Sequence, residues 1–321
     1  MNYSKTEMKI KPKRAKRKKG FLYEIQKHRF LYLMTLPAVI FIFINSYLPM
    51  LGIVLAFEDY KLDTGFFSKF VGFKNFEFLF KSPNAWIITR NTLLYNLVFI
   101  VLGLLLAVSF AIALDQIRNR RLSKIYQSIL FLPYFLSYIV VTYLVYALLS
   151  NKTGIINNSI LPFFGLKPIQ WYTNPKYWPF ILVIVHVWKS VGYSTVIYLA
   201  GITGIDATYY EAAIVDGATK FQQIRHITLP GLKPLMIITT ILALGGIFRS
   251  DFGLFYQVTM NIGSLYTVTD TIDTYVYRSL VVMGNTGMAA AAGLYQSVVG
   301  LITILSANFL VRKIDRENSL F

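Results

Sequence analysis

Two stretches of otherwise apolar sequence place charged and aromatic side chains at helical spacing. His186, Lys189 and Tyr193 recur at i, i+3 and i+7, so a helix there puts them on one face with Trp188 beside it. Arg249, Phe252 and Tyr256 repeat the spacing, with Asp251 adjacent. If the two faces meet, they build a cavity of aromatic platforms and charged hydrogen-bonding groups. A sugar is held in that way, ring face on an aromatic and hydroxyls on polar groups. The plainer alternative is that Lys189 or Arg249 neutralises Asp251 between helices, while Tyr256 anchors at a membrane interface. Other chemistries fail on residue type. The chain has no cysteine, which removes disulfides, thiolate metal sites and thiol nucleophiles. The three histidines, His28, His186 and His226, are far apart in sequence and predict no metal site. There is no GxxxxGK[ST] phosphate loop, and no nucleophile–base set is visible, so any energy must come from a gradient or a partner.

The elements that position these residues are read from hydropathy. Of 321 residues, 55% are hydrophobic and only 15% charged, a membrane composition. Six apolar blocks are long enough to span a bilayer as helices, at about 30–55, 86–114, 125–149, 179–202, 235–256 and 289–311. The runs are continuous, whereas barrel strands would alternate. Pro37, Pro49 and Pro133 fall in or near these spans, where neighbouring helices can satisfy the freed carbonyls. Gly192, Gly201, Gly245, Gly246, Gly293 and Gly300 fit close helix approach. The predicted fold is an all-α integral membrane protein with six transmembrane helices.

The net charge of +17 is placed asymmetrically. Lys5, Lys9, Lys11, Lys13, Arg14, Lys16, Arg17, Lys18, Lys19, Lys27 and Arg29 precede the first span. Arg118, Arg120, Arg121 and Lys124 follow the second, and Arg312, Lys313 and Arg316 follow the sixth. Six spans put these three places on one side, and the positive-inside rule makes it the cytoplasm. The arm is expected to be solvated beside anionic lipid, with no nucleic acid needed, and the apolar block after it is too long for a cleaved leader. Segments 58–85 and 150–178 then fall outside, with Trp171, Tyr172, Tyr177 and Trp178 where an interfacial aromatic belt is expected.

One cytoplasmic link, 204–234, is too polar to span and too helical to be a plain loop. Asp206 is placed to cap a helix through Glu211, Ala212, Ala213, Ile214 and Val215, and Gly217 to end it in a left-handed conformation. Thr219 with Gln222 forms a capping-box pattern for a second short helix, whose Phe221, Ile224 and Ile227 share a face. Pro230 is expected to stop that helix.

The order Glu211-Ala212-Ala213, three residues, Gly217, nine residues, then Ile227-Thr228-Leu229-Pro230 resembles the EAA loop of type I ABC importer permeases, and Asp216-Gly217-Ala218 extends the match. From about Arg90 to the C-terminus, the order of spans and the start Asn91-Thr92 resemble the carbohydrate-uptake permeases. Val71-Gly72-Phe73-Lys74-Asn75-Phe76 and Asn285-Thr286-Gly287 are similar to the polysaccharide and oligosaccharide permeases of the LplB type. One departure is 208–210, since many members have a proline soon after the position of Ile205; Asp206 can cap the helix in its place.

The resemblance implies a maltose-permease-like transmembrane domain. It divides the chain into a basic cytoplasmic arm (1–29), a first transmembrane helix with an extracytoplasmic segment (30–85), and a core (86–321) whose EAA loop is 205–234. It also implies a non-enzymatic permease subunit of a saccharide importer in a bacterial plasma membrane, both termini cytoplasmic. Its partners would be a second, homologous permease subunit, two ATPase subunits that hold ATP and Mg2+, and an extracytoplasmic solute-binding protein. This chain would bind no cofactor itself. Glu211 would be the charged contact to the ATPase, Ala212 and Ala213 the small residues of close approach, and Gly217 the bend. An importer for another polar solute shares the same machinery. An ion-coupled secondary transporter is the alternative of a different class, and it would want more buried carboxylates than Asp251.

Overall fold

A computed structural model describes Tyr23, 26–61, 63–65, 68–81, 83–282 and 284–314. Of the arm's basic residues only Lys27 and Arg29 fall within it; the others, and Arg316 of the tail, lie outside the described residues. The chain divides into two compact units, Met1–Gly52 and Ile53–Phe321. In the first, α1 (Arg29–Ile42) is apolar along its length and carries Pro37 inside it.

In the second unit, a two-stranded antiparallel ribbon pairs Glu58 with Phe70 and Asp59 with Lys69. The principal helices follow: α2 (Pro83–Asp115), α3 (Arg120–Phe131), α4 (Tyr138–Leu149), α5 (Trp178–Thr203), α6 (Ala207–Val215), α7 (Leu229–Gly245), α8 (Ile272–Val281) and α9 (Thr286–Ile314). Among the described residues, five helical segments are long and apolar enough to cross a membrane, or six if a bent pair counts as one span. α2 and α5 form the central pair, closed by fully buried Ala107 and Ala111 against Val191, Tyr198 and Ile202. Small residues one turn apart let the two backbones approach.

Two expected spans are broken. The third is α3 and α4 with a bend of 100° between them. Pro133 sits in a 3-10 turn, Leu132–Phe135, and Ser137 restarts the helix by accepting from the Val140 N–H. α4 has 12 residues, about 18 Å of rise, so alone it covers little more than half the hydrocarbon core. The fifth was expected to run to 256 but ends at Gly245, capped by Gly246. The chain resumes only in a π-helical turn, Gly253–Val258. Irregular backbone at membrane depth needs other partners for its polar groups, and side chains supply them. Asn96 Nδ2 donates to Ile247 O at 3.0 Å and Arg249 O at 2.8 Å, and Gln296 Nε2 donates to Phe248 O at 2.7 Å.

Pro230 also departs from expectation, because it opens α7 instead of stopping a helix. A π-helical turn, Ile224–Thr228, leads directly into it, and the segment Lys220–Gly245 forms one candidate span. The wider π turn before it, in which the Leu229 N–H reaches back to Ile224 O, accommodates the missing proline N–H.

The glycines divide. A Cβ on Gly192 would lie 1.9 Å from Leu130 O, one on Gly201 would meet Leu235, and Gly245 meets Ile304 while Gly300 faces Gly245 O. Gly293 has open space and Gly246 only an ordinary neighbour, so neither marks a helix crossing. The expected aromatic belt is in part an interior cluster. Trp178 and Tyr172 are buried, Trp178 Nε1 donates to Trp171 O at 2.7 Å, and Trp171 Nε1 donates to Asn157 Oδ1 at 3.0 Å.

Candidate functional site

The His186 face of α5 splits between two environments. His186 stacks on Phe99 of α2 with ring centroids 3.7 Å apart, and its buried Nδ1 has no hydrogen-bond partner among the described residues. It borders a cavity of about 340 Å³ between α2, α5 and α7, where Asn96, Ser190, Ser194, Tyr198 and Thr239 contribute polar groups. Lys189 and Tyr193 turn instead toward the break between α3 and α4. Lys189 Nζ donates to Tyr134 O at 2.9 Å, a carbonyl of that break, and lies 4.9 Å from the Tyr138 ring centroid. Tyr193 stacks on Tyr134, centroids 4.8 Å apart at 13°. Trp188 is exposed beside them.

The Arg249 face meets this one only through a residue that sequence reasoning missed. Tyr138, at the start of α4, donates its hydroxyl to Asp251 Oδ2, and Asp251 Oδ1 accepts from the Leu254 N–H at 3.3 Å. Gly253 allows the approach, since a Cβ there would lie 2.2 Å from the Tyr138 ring. Asp251 therefore forms no ion pair with Lys189 or Arg249 among the described residues. Arg249 is exposed and borders a separate cavity of about 380 Å³ with Gln296 and Ser297. Phe252 and Tyr256 stack at 4.7 Å and both pack against Tyr277 of α8.

α8 and its approach were not foreseen. Asp273 Oδ2 accepts from the Ser250 N–H at 2.6 Å and from Gln296 Nε2 at 3.1 Å, fixing the broken fifth span. Asn91 Nδ2 donates to Asp270 O at 2.9 Å, and the Ile272 N–H donates to Thr92 Oγ1 at 3.1 Å. Arg278 pairs with Asp270 and lies 4.2 Å from the Tyr266 ring centroid. The available signal was the row Asn91, Thr92 and Asn96 on apolar α2, polar groups that need backbone partners.

The link between α5 and α7 follows the expected design. Asp206 Oδ1 accepts from the Thr208 N–H at 2.9 Å, and those hydrogen bonds hold its carboxyl below the usual carboxylate range. Gly217 has φ +76°, and Thr219 with Gln222 forms a complete capping box. Glu211, Ala212 and Asp216 are exposed, with Ala213 partly covered, so α6 projects as a knob. Val215 is 86% exposed and Phe221 69%, an apolar surface left uncovered among the described residues. Ile227, Leu229 and Pro230 lie where this knob joins α7, Ile227 and Leu229 partly buried and Pro230 exposed.

Broken spans joined to one another, polar cavities beside them and a capped, exposed helical knob are the features of a helical membrane permease. The sequence profile of the family described as "Binding-protein-dependent transport system inner membrane component" matches residues 99–316. The polygalacturonan/rhamnogalacturonan transport system permease protein YteP of Bacillus subtilis (strain 168) is 34% identical, over 95% of this chain and 94% of that protein. Protein LplB of the same organism is 32% identical over 93% of each. A chain in the crystal structure of a bacterial alginate ABC transporter, in complex with an alginate pentasaccharide-bound periplasmic protein, matches with a TM-score of 0.82. It is 32% identical, over 92% of this chain and 98% of that one. The chain belongs to this family of permease subunits of ATP-binding-cassette importers, and it has the type I fold.

Proposed function

We propose that the chain is one transmembrane half of an ATP-driven saccharide importer, with an oligosaccharide as its cargo. The relatives above act on polygalacturonan, rhamnogalacturonan and alginate, and their similarity over nearly the whole chain supports the same class of substrate here. The observation that carries the coupling half of the proposal is the exposed knob: a capped helix, a left-handed glycine and an unpartnered apolar face. It suits docking into a cleft on a separate ATPase. Ala212 and Ala213 permit close approach, Glu211 and Asp216 offer charge-assisted contacts, and Gly217 sets the angle. Ile227, Leu229 and Pro230 pass the movement into α7.

Two ATPase subunits would hold ATP and Mg2+, and a second, homologous permease would complete the path. An extracytoplasmic solute-binding protein would deliver the sugar to segments 58–85 and 150–178, as a periplasmic protein is bound in the alginate transporter. The protein would sit in a bacterial plasma membrane with both termini cytoplasmic, the orientation its basic residues favour. His186, Trp188, Lys189 and Tyr193, with Arg249, Asp251, Phe252 and Tyr256, would form or frame the sugar path.

The test is ATP hydrolysis by the purified complex. Liganded binding protein should stimulate it, and Gly217→Val should abolish the stimulation while leaving the permease in the membrane. Stimulation unchanged by Gly217→Val would remove the docking assignment.

A further inference from the structure

α2 and α5 leave a groove open along one side of their packed pair, a cavity of about 560 Å³. Leu94, Val98 and Leu102 line it from α2, Phe180 and Ile184 from α5, and Arg90 contributes the charge at one end. Leu94, Phe180 and Ile184 are exposed. None of the lining residues borders the cavity between α2, α5 and α7 described above, so the groove is separate from the sugar path.

Arg90 is a positioned cation without a counter-ion among the described residues. Its Nε and Nη2 both donate to Asn91 Oδ1, at 3.3 and 2.9 Å, and Nη2 also donates to Thr267 O at 3.0 Å. The two N–H groups on Nη1 have no partner among the described residues. Asp270, whose backbone carbonyl Asn91 also holds, gives its carboxylate to Arg278 and Thr274. A guanidinium fixed by neutral oxygens and left with free N–H groups is prepared for a phosphate.

Depth and length point to the source of that phosphate. α2 has 33 residues, about 50 Å of rise, against a hydrocarbon core of about 30 Å. Shared between the two ends the excess is about 10 Å, and Arg90 stands about that far from the start of the helix, at headgroup level. From Arg90 to Leu102 the groove follows α2 for about 18 Å, close to the depth of one leaflet. A zwitterionic headgroup brings its own ammonium to its phosphate, whereas an anionic one leaves its charge to be matched by the protein.

We propose that this groove binds an anionic phospholipid, with one acyl chain along α2 and α5 and the phosphate on Arg90. The lipid belongs to the leaflet at that end of α2, the outer one in the orientation proposed above. Because Arg90 also holds Thr267 O, the lipid braces the junction between α2 and the segment before α8.

The test is photo-crosslinking on the whole transporter complex in phosphatidylcholine nanodiscs. The probes are phosphatidylglycerol and phosphatidylcholine with identical acyl chains, each carrying a diazirine in one chain, and adducts are mapped by peptide mass spectrometry. The phosphatidylglycerol probe should label 94–102 and 180–184 about tenfold more than the phosphatidylcholine probe, the scale of one charge-assisted contact. Unlabelled phosphatidylglycerol should compete, and its headgroup alone, glycerophosphoglycerol, should not. Arg90→Gln should bring the two probes level while Arg90→Lys keeps the preference, whereas a merely structural arginine would lose labelling by both lipids in either variant. Val98→Phe, which fills the groove, should lower labelling by both probes. Equal labelling of the unaltered complex by the two probes makes the groove ordinary lipid-facing surface and overturns the proposal. So does a preference unmoved by Arg90→Gln, competition by the headgroup alone, or a groove that neither probe labels because the second permease covers it. If Arg90→Gln fails to assemble, the preference in the unaltered complex and its response to Val98→Phe decide.

Discussion

Tyr138 donates its hydroxyl to the carboxylate of Asp251 and so joins the two broken spans of the protein, α3–α4 and the segment after α7, across a gap that only Gly253 leaves open. Replacing Tyr138 with Phe keeps the ring under Lys189 but leaves Asp251 Oδ2 without its donor. The variant should unfold more easily in detergent by about 1 kcal/mol, the scale of a hydrogen bond lost at a partly buried carboxylate. Thermal unfolding checks this, and Asp251→Asn should lose less because an amide oxygen can still accept.

Gly192 should not tolerate a methyl group. Its Cβ would meet the backbone of α3 at 1.9 Å from Leu130 O, and backbone cannot rotate away. Gly192→Ala should destabilise the chain by about 1–3 kcal/mol, whereas Gly293→Ala, with nothing within 4 Å, should unfold at or above the temperature of the unaltered protein.

Gly217 presents the opposite case. Nothing lies within 4 Å of an added Cβ, but φ is +76°, a conformation that asparagine tolerates and β-branched residues do not. Gly217→Asn should therefore retain sugar-stimulated ATP hydrolysis in the complex while Gly217→Val loses it. Equal loss in both would point to a need for bare backbone at the ATPase surface instead of a bend.

The cap at Asp206 carries a pH dependence. Hydrogen bonds from Thr208 hold its carboxyl below the ordinary aspartate range, so the folded knob is favoured over the unfolded one once the pH exceeds that range. That contribution is lost as pH falls through the lowered folded value. The protection factor for amide exchange at Thr208, the exchange rate corrected for its intrinsic pH dependence, should be highest at neutral pH and fall in acid, and Asp206→Asn should flatten that profile.

Much of this was legible in the sequence, because the signals were local. The caps at Asp206 and Thr219 and the left-handed Gly217 depend on neighbours within a few residues, and all three are as expected. The lengths of α2, α5 and α9 follow from composition. The breaks at Pro133 and Gly245–Gly246 were not legible, since a membrane helix can carry a proline or a glycine pair without stopping. What supports these two is tertiary: Asn96, Gln296 and Asp273 take over the backbone groups freed after Gly246, and Lys189 takes the Tyr134 carbonyl at the break after Pro133. For the same reason Tyr138, one tyrosine among 22, gave no sign that it would link Lys189 and Asp251. Pro230 misled because the π-helical turn before it re-registers the helix.

Topology is open to labelling because the native chain has no cysteine. Val215→Cys and Phe163→Cys, at positions 86% and 84% exposed, should react with a membrane-impermeant maleimide from opposite sides. Val215→Cys should label only in inside-out vesicles and become protected when the ATPase binds. Labelling of both from the same side would contradict the six-span arrangement.

The central claim, ATP-driven saccharide import through this chain, is tested most directly by uptake of a labelled oligosaccharide into proteoliposomes. These would hold the complete complex, with ATP on the ATPase side and liganded binding protein on the other. Uptake should require ATP, persist when ion gradients are collapsed, and fall to background with Gly217→Val. Uptake that continues without ATP and follows a proton or sodium gradient would contradict the account.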